Sequence, residues 1–212
     1  MNEAPLFDKT KLQEAIAALE KDLVGGDGPQ ISTMRNYRFA ILRYNPKQEF
    51  KLQGEIQKLS QKLIANGWVV FSINLHQILM DRIRAQGDET VAKLIEREKS
   101  VTSRSSERGL NFLMDKVGPM IEGPDGIAGD CANQIKEFAQ QYPDKADRTL
   151  VLIGRAGALF PFFRSSALLK HLDGNTNNVP VVLLYPGERR GQTGLSFMGE
   201  LTPDNDYRPR IY

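Results

Sequence analysis

Cysteine and histidine are nearly absent from this chain, and their scarcity removes most catalytic and metal chemistries at the outset. The 212 residues hold one cysteine, Cys131, and two histidines, His76 and His171. A lone thiol excludes an internal disulfide framework and fits a reducing, cytoplasmic setting. Zinc needs about four ligands with local spacing, which one cysteine and two distant histidines do not supply. Cys131 shares a helical face with Ile127, Ile135 and Phe138 and reads as a small core residue. Each histidine stands near a predicted helix end and reads as a surface or charge-partner group. Long hydrophobic runs are also missing, since nothing approaches the roughly 18–20 apolar residues that cross a bilayer. The start, MNEAPLFDKTKLQ, lacks a basic stretch followed by an apolar core, so it is not a secretory signal.

Charge of one sign is equally scarce. The net charge of +2 is too small to indicate DNA contact. Residues 1–150 are balanced, and the excess falls in residues 151–212, where the basic residues are Lys170 and six arginines: Arg155, Arg164, Arg189, Arg190, Arg208 and Arg210. Arginine's planar fork suits carboxylate, phosphate and interface contacts better than a lysine ammonium does.

Nucleotide motifs are absent too. After the first predicted strand the chain reads Arg43-Tyr44-Asn45-Pro46-Lys47-Gln48, without the glycines and hydroxyl of GxxxxGK[ST], and Pro46 removes an N–H donor. No serine sits in a GxSxG elbow. Asp204 and Asp206 flank Asn205 in a proline-containing tail and read as solvated turn formers.

What is present is an alternation of helical and strand patterns. Residues 8–23 carry Leu12, Ile16, Leu19 and Leu23 on one helical face. Asp8 is a candidate N-cap, with Phe7 stapling against Leu12. Tyr37–Tyr44 reads as a strand stopped by Asn45-Pro46, and Leu52, Ile56, Leu59 and Leu63 form the spine of the next helix. Trp68–Ile73 is a second, near-continuous apolar strand, which implies a parallel sheet covered on both faces. Helices follow at about 75–86, 88–99, 104–121 and 127–142. Leu150–Ile153 is the third strand, Phe163–Leu172 a helix, and Pro180–Tyr185 the fourth strand. The connection from there to Leu195–Met198 is too short for a parallel return, so the fifth strand is expected antiparallel. The expected fold is therefore α/β, a mostly parallel sheet of about five strands with helices on both faces. In outline it is Rossmann- or P-loop-like without a Walker A motif, with a helical insertion between strands two and three. We expect one domain over 1–212, with the insertion at about 75–145 and a C-terminal hairpin and tail at about 179–212.

Two segments carry candidate contacts. Gly154-Arg155-Ala156-Gly157 through Arg164-Ser165-Ser166 follows a strand and leads into a helix, where α/β sheets bind ligands. Gly154, Arg155, Gly157 and Arg164 are its candidate anion-binding residues. Its aromatics, Phe160, Phe162 and Phe163, pack either a core or an interface. The second segment runs from Val179 to Tyr212. There an apolar run ends in Tyr185-Pro186-Gly187, an arginine-bearing loop with Arg189 and Arg190 follows, and the tail carries Tyr207, Arg208, Arg210 and Tyr212. Tyrosine and arginine are enriched at interface hot spots, and they also line single-stranded nucleic-acid surfaces. The alternative for the tail is that its tyrosines pin the sheet edge.

The strand, the Tyr-Pro-Gly and the terminal Tyr-Arg together resemble the BrxB family of the bacterial BREX phage-exclusion systems, most clearly over Thr149–Tyr212. That resemblance implies a small core component of a defence system that uses host DNA methylation to distinguish self from phage. It also implies work beside an AAA-type ATPase, an adenine methyltransferase and the phosphatase-like PglZ protein. The implied role is a non-catalytic adaptor without cofactor or metal, with the PglZ-family protein as first partner and the ATPase and methyltransferase as further ones. Its contact residues would be Phe160, Phe162, Phe163, Tyr185, Arg189, Arg190, Tyr207, Arg208 and Arg210. The alternative is a nucleotide- or nucleic-acid-binding accessory protein using the Gly154–Ser166 turn and the C-terminal arginines.

Overall fold

A computed structural model describes residues 6–25, 29–31, 38–122, 125–172, 174–191, 194–203 and 209–212, with side chains from Lys11 onward. Helix α1 spans Leu6–Val24, so Asp8 lies inside the helix rather than at its cap. Strand β1 (Phe39–Tyr44) leads through a short 3-10 turn into α2 (Glu49–Ala65), and β2 covers Val69–Asn74. Four helices follow: α3 (Leu75–Arg84), α4 (Asp88–Thr102), α5 (Ser106–Ile121) and α6 (Ile127–Gln141). Then come β3 (Thr149–Gly154), α7 (Ser165–Leu172), β4 (Val181–Arg190), β5 (Gly194–Phe197) and β6 (Arg210–Ile211).

The strand order is β2-β3-β4-β1-β6, every pair on that path is parallel, and β5 pairs antiparallel with β4. The α/β architecture, the covered parallel sheet, the antiparallel fifth strand and the insertion between β2 and β3 agree with the sequence pattern. Alternation along the strands separates two cores, because successive side chains point to opposite faces. Ala40, Leu42 and Tyr44 of β1, with Leu150 and Leu152 of β3, meet the Leu12–Ile16–Leu19–Leu23 and Leu52–Ile56–Leu59–Leu63 spines of α1 and α2. Phe39, Ile41, Val151, Ile153, Val181 and Leu183 face the other way, onto α3, α5, α6 and α7.

Polar staples join the insertion to this second face. Asn74 caps α3 by accepting the Gln77 N–H at 3.2 Å. Arg82 of α3 donates to both carboxylate oxygens of Asp130 on α6 and, at 2.9 Å, to the Gly126 carbonyl. Such forked, charge-assisted bonds fix geometry as well as adding energy. Helix α4 buries none of its residues and leans on α5. Gly109 makes that approach feasible, since a Cβ there would occupy the place of the Thr102 side chain.

Cys131 is fully buried on α6, and burial pushes its thiol up to about 12. Only the thiolate reacts readily. Folded protein at neutral pH should therefore resist a disulfide-exchange reagent, with labelling appearing only as denaturant unfolds the chain. Fast labelling without denaturant would contradict the burial.

Two features depart from the sequence reading. The fourth strand does not break at Pro186-Gly187 but continues to Arg190, pairing with β5 from Gly187 onward. The missing proline N–H is harmless because position 186 turns its main-chain groups away from β1, to the side where the ladder with β3 has already ended at Leu183. The Pro186 carbonyl accepts the Met198 N–H at 2.8 Å. The second departure is β6, two residues beside Ala40 and Ile41. Its tail residues Tyr207 and Arg208 lie outside the described residues.

Candidate interaction surface

Strand β4 runs past the end of β1, so residues 187–190 form an overhang whose strand partner among the described residues is β5. Glycine is required at its root. A Cβ on Gly187 would come within 2.6 Å of the Tyr185 ring and closer still to the Ser196 carbonyl. The inner side of the hairpin is apolar and anchored. Leu195 and Phe197 are buried, and the Phe197 ring meets Phe163 at 5.6 Å, Tyr185 at 5.5 Å and Phe160 at 6.4 Å between centroids. Ser196 donates from its hydroxyl to the Leu201 carbonyl at 2.7 Å, which ties the hairpin to the following turn.

This cluster corrects part of the expected contact set. Tyr185 and Phe163 are core residues, with relative exposures of 0% and 2%. Phe160 and Phe162 are half-buried and pack against the same core. Their aromatic density builds the floor beneath the hairpin, because the apolar side of a β overhang needs cover from water. Arg210 is also committed internally. Its guanidinium pairs with Asp22 of α1 at 2.9 Å and lies 5.1 Å over the Tyr212 ring. Tyr212 donates to the same carboxylate at 2.7 Å. Burial, with that hydrogen bond, raises the Tyr212 phenol above its ordinary value. For this terminal tyrosine, the edge-pinning role is the one realised.

Arg189 and Arg190 remain exposed at the end of the overhang. Arg190 pairs with Glu188 at 3.2 Å, with both side chains more than half exposed, a pair that contributes at most tenths of a kcal/mol. Below the overhang, between it and α1, lies a cleft of about 660 Å³ lined by Lys11, Arg43, Tyr44, Gln48, Glu188 and Arg189 among others. Arg43 is half-buried there and reaches the Gly187 carbonyl at 3.5 Å. Sequence reading passed over Arg43 as a contact group, although a lone arginine in an otherwise apolar strand was the signal available. Tyr44 donates to Glu49, which in turn pairs with Arg155 at 3.5 Å. Burial, reinforced by Glu49, keeps the Tyr44 phenol neutral well above its ordinary range.

The four candidate anion-binding residues do not converge. Gly154 and Arg155 line a smaller cavity of about 220 Å³ at the carboxyl ends of β2 and β3. Gly157 instead approaches Pro186 and Met198, and Arg164 lies by α5, α6 and His171. The left-handed residue of the turn is Arg155, at φ 63°, rather than either glycine. After β1, Asn45 Oδ1 accepts the Lys47 N–H at 3.0 Å, so the loop closes on its own cap. Among the described residues no group of three or more histidine, cysteine or acidic side chains is placed to hold a metal. No described helix is long and apolar enough to cross a membrane.

Comparison with known proteins matches these elements to one family. Residues 71–211, from the middle of β2 through the insertion and the hairpin to β6, match the family described as BREX protein BrxB. A curated BREX protein BrxB from Bacillus cereus (strain H3081.97) is 23% identical over 173 residues, covering 80% of each chain. No solved structure matches. With two thirds of its length inside the family match, and the hairpin and its aromatic floor within that span, this chain belongs to the BrxB family of BREX proteins.

Proposed function

We propose that this protein acts in the BREX defence system as a non-catalytic adaptor, and that the β4–β5 overhang is the surface it offers to a PglZ-family phosphatase-like protein. A role in the BREX system follows from family membership; the adaptor role and the partner are our reading. The observation that carries it is an aromatically anchored hairpin on which Arg189 and Arg190 are exposed beside a cleft of about 660 Å³. A main chain already paired in a strand has little backbone freedom left to lose on binding, and arginine is a preferred hot-spot residue. The polar groups lining the cleft suit docking better than turnover. Tyr44 is held neutral, and its acceptor Glu49, which lines the smaller cavity rather than the cleft, is itself paired with Arg155. The partner face implied is acidic.

The test is Arg189→Glu combined with Arg190→Glu, followed by co-purification with the PglZ-family protein. Neither side chain is buried, so the melting temperature should stay within a few degrees while partner affinity falls at least tenfold. Because the contact is charge-based, binding by the unmodified chain should also weaken with added salt. A folded double variant that co-purifies undiminished would reject this surface.

A further inference from the structure

At the opposite end of the sheet from β6, β2 is an edge strand with an unusually bare outer side. The Val151 N–H bonds to Pro180 on the β4 side, so by alternation Leu150 and Leu152 face β2. Register then turns Val69, Phe71 and Ile73 of β2 inward, leaving the N–H and C=O groups of Val70 and Ser72 pointing outward. Among the described residues these groups have no partner. Proteins ordinarily blunt such an edge with lysine, proline, a bulge or extreme shortness. The other edge follows that rule, since β6 is two residues long and carries Arg210. Strand β2 does not. Its six residues, Val-Val-Phe-Ser-Ile-Asn, include no charge, proline or glycine.

Apolar side chains flank this edge on each face. On one, Phe71 stacks on Phe138 of α6 at 4.5 Å, and Phe138 in turn contacts Tyr142 at 5.2 Å. Tyr142 is 37% exposed, and Ile64 near the end of α2, which leads into β2, is 55% exposed.

We propose that β2 pairs antiparallel with β2 of a second copy, joining two sheets across a two-fold axis. A second copy fits because a two-fold interface must complement itself, and a strand without charge sets no like charges against each other. Centring the axis on Phe71 places Val70 of one copy opposite Ser72 of the other. Each of those two pairs exchanges both main-chain hydrogen bonds, which satisfies the outward groups named above. The same centring sets the two Phe71 rings side by side, extending the Phe138–Phe71 stack through the interface. This inference is independent of the adaptor reading, which uses the β4–β5 end of the molecule.

The experiment is sedimentation equilibrium on the full chain, compared with Ser72→Pro and Ser72→Lys. The Ser72 N–H points away from the β3 ladder, so proline removes an intermolecular donor and leaves the fold's own bonds intact. Lysine at this exposed position places like charges at the contact, and it serves should the proline variant misfold. The unmodified chain should weigh as a dimer at micromolar concentration, with its Val70 and Ser72 amides slow to exchange. Either variant should raise the dissociation constant at least tenfold and speed exchange at those amides. A monomeric mass throughout, or a dimer indifferent to both substitutions, would overturn the proposal. So would edge amides that become protected only when a partner BREX protein is added, which would assign the edge to a strand of that partner.

Discussion

Valine in place of Gly187 should destabilise the protein by about 3 kcal/mol, the upper part of the range for forcing extra atoms into a packed site. The reason is local and severe. The new side chain would have to share space with the Ser196 carbonyl, which is backbone of the neighbouring strand, and with the ring of Tyr185. Neither neighbour can yield cheaply. Ser196 is held by its bond to Leu201, and Tyr185 is fully buried against Phe197. The hairpin must therefore separate from β4 or tilt off its aromatic floor. Denaturant unfolding monitored by circular dichroism gives the stability change. Near-complete retention of stability would mean that β5 is not held as close to β4 as described. Partner binding should fall as well, since Arg189 and Arg190 are aimed by the same ladder, and alanine should produce a weaker version of both effects.

Phe163→Ala should cost about 3–5 kcal/mol, as large-to-small changes of buried aromatics do. In a chain of this size that corresponds to a drop in Tm on the order of 10 °C. Phe163 lies just before α7 and touches Phe197 of β5 within the second core, so its loss opens a cavity where helix, turn and hairpin meet. Phe162→Ala, at a half-buried neighbour, should cost clearly less. A thermal melt of the two variants side by side checks the ranking. Equal, small effects would return Phe163 to the role of a surface contact.

These two positions show where sequence reading stops. Phe160, Phe162 and Phe163 stand together in the chain, and no local pattern says which of them the hairpin will cover. That depends on Phe197, more than thirty residues away. The same is true of Tyr185. Strand alternation would have told which face it takes, but only the hairpin folding back over that face makes it core. Arg155 and Arg164 followed one strand and looked like two arms of one anion site. The left-handed backbone at Arg155 and the turn before α7 send them to different cavities. Arg210 looked like a free contact arginine, yet Asp22, far earlier in the chain, neutralises it. Strand β6 was illegible, because two residues carry no period.

Much else needed no tertiary information. The apolar runs of β1, β2 and β3, and the four-leucine-type spines of α1 and α2, already required a parallel sheet covered on both faces. A strand buried on each side leaves no room for polar alternation. The scarcity of cysteine and histidine, and the missing phosphate-loop glycines, are likewise properties of composition and local spacing. Tertiary structure alone decided which aromatics are core, which arginines are spent on internal pairs, and which strand is left at an open edge. Those outcomes depend on contacts between residues far apart in the chain, and a local pattern carries no information about what a distant segment will cover.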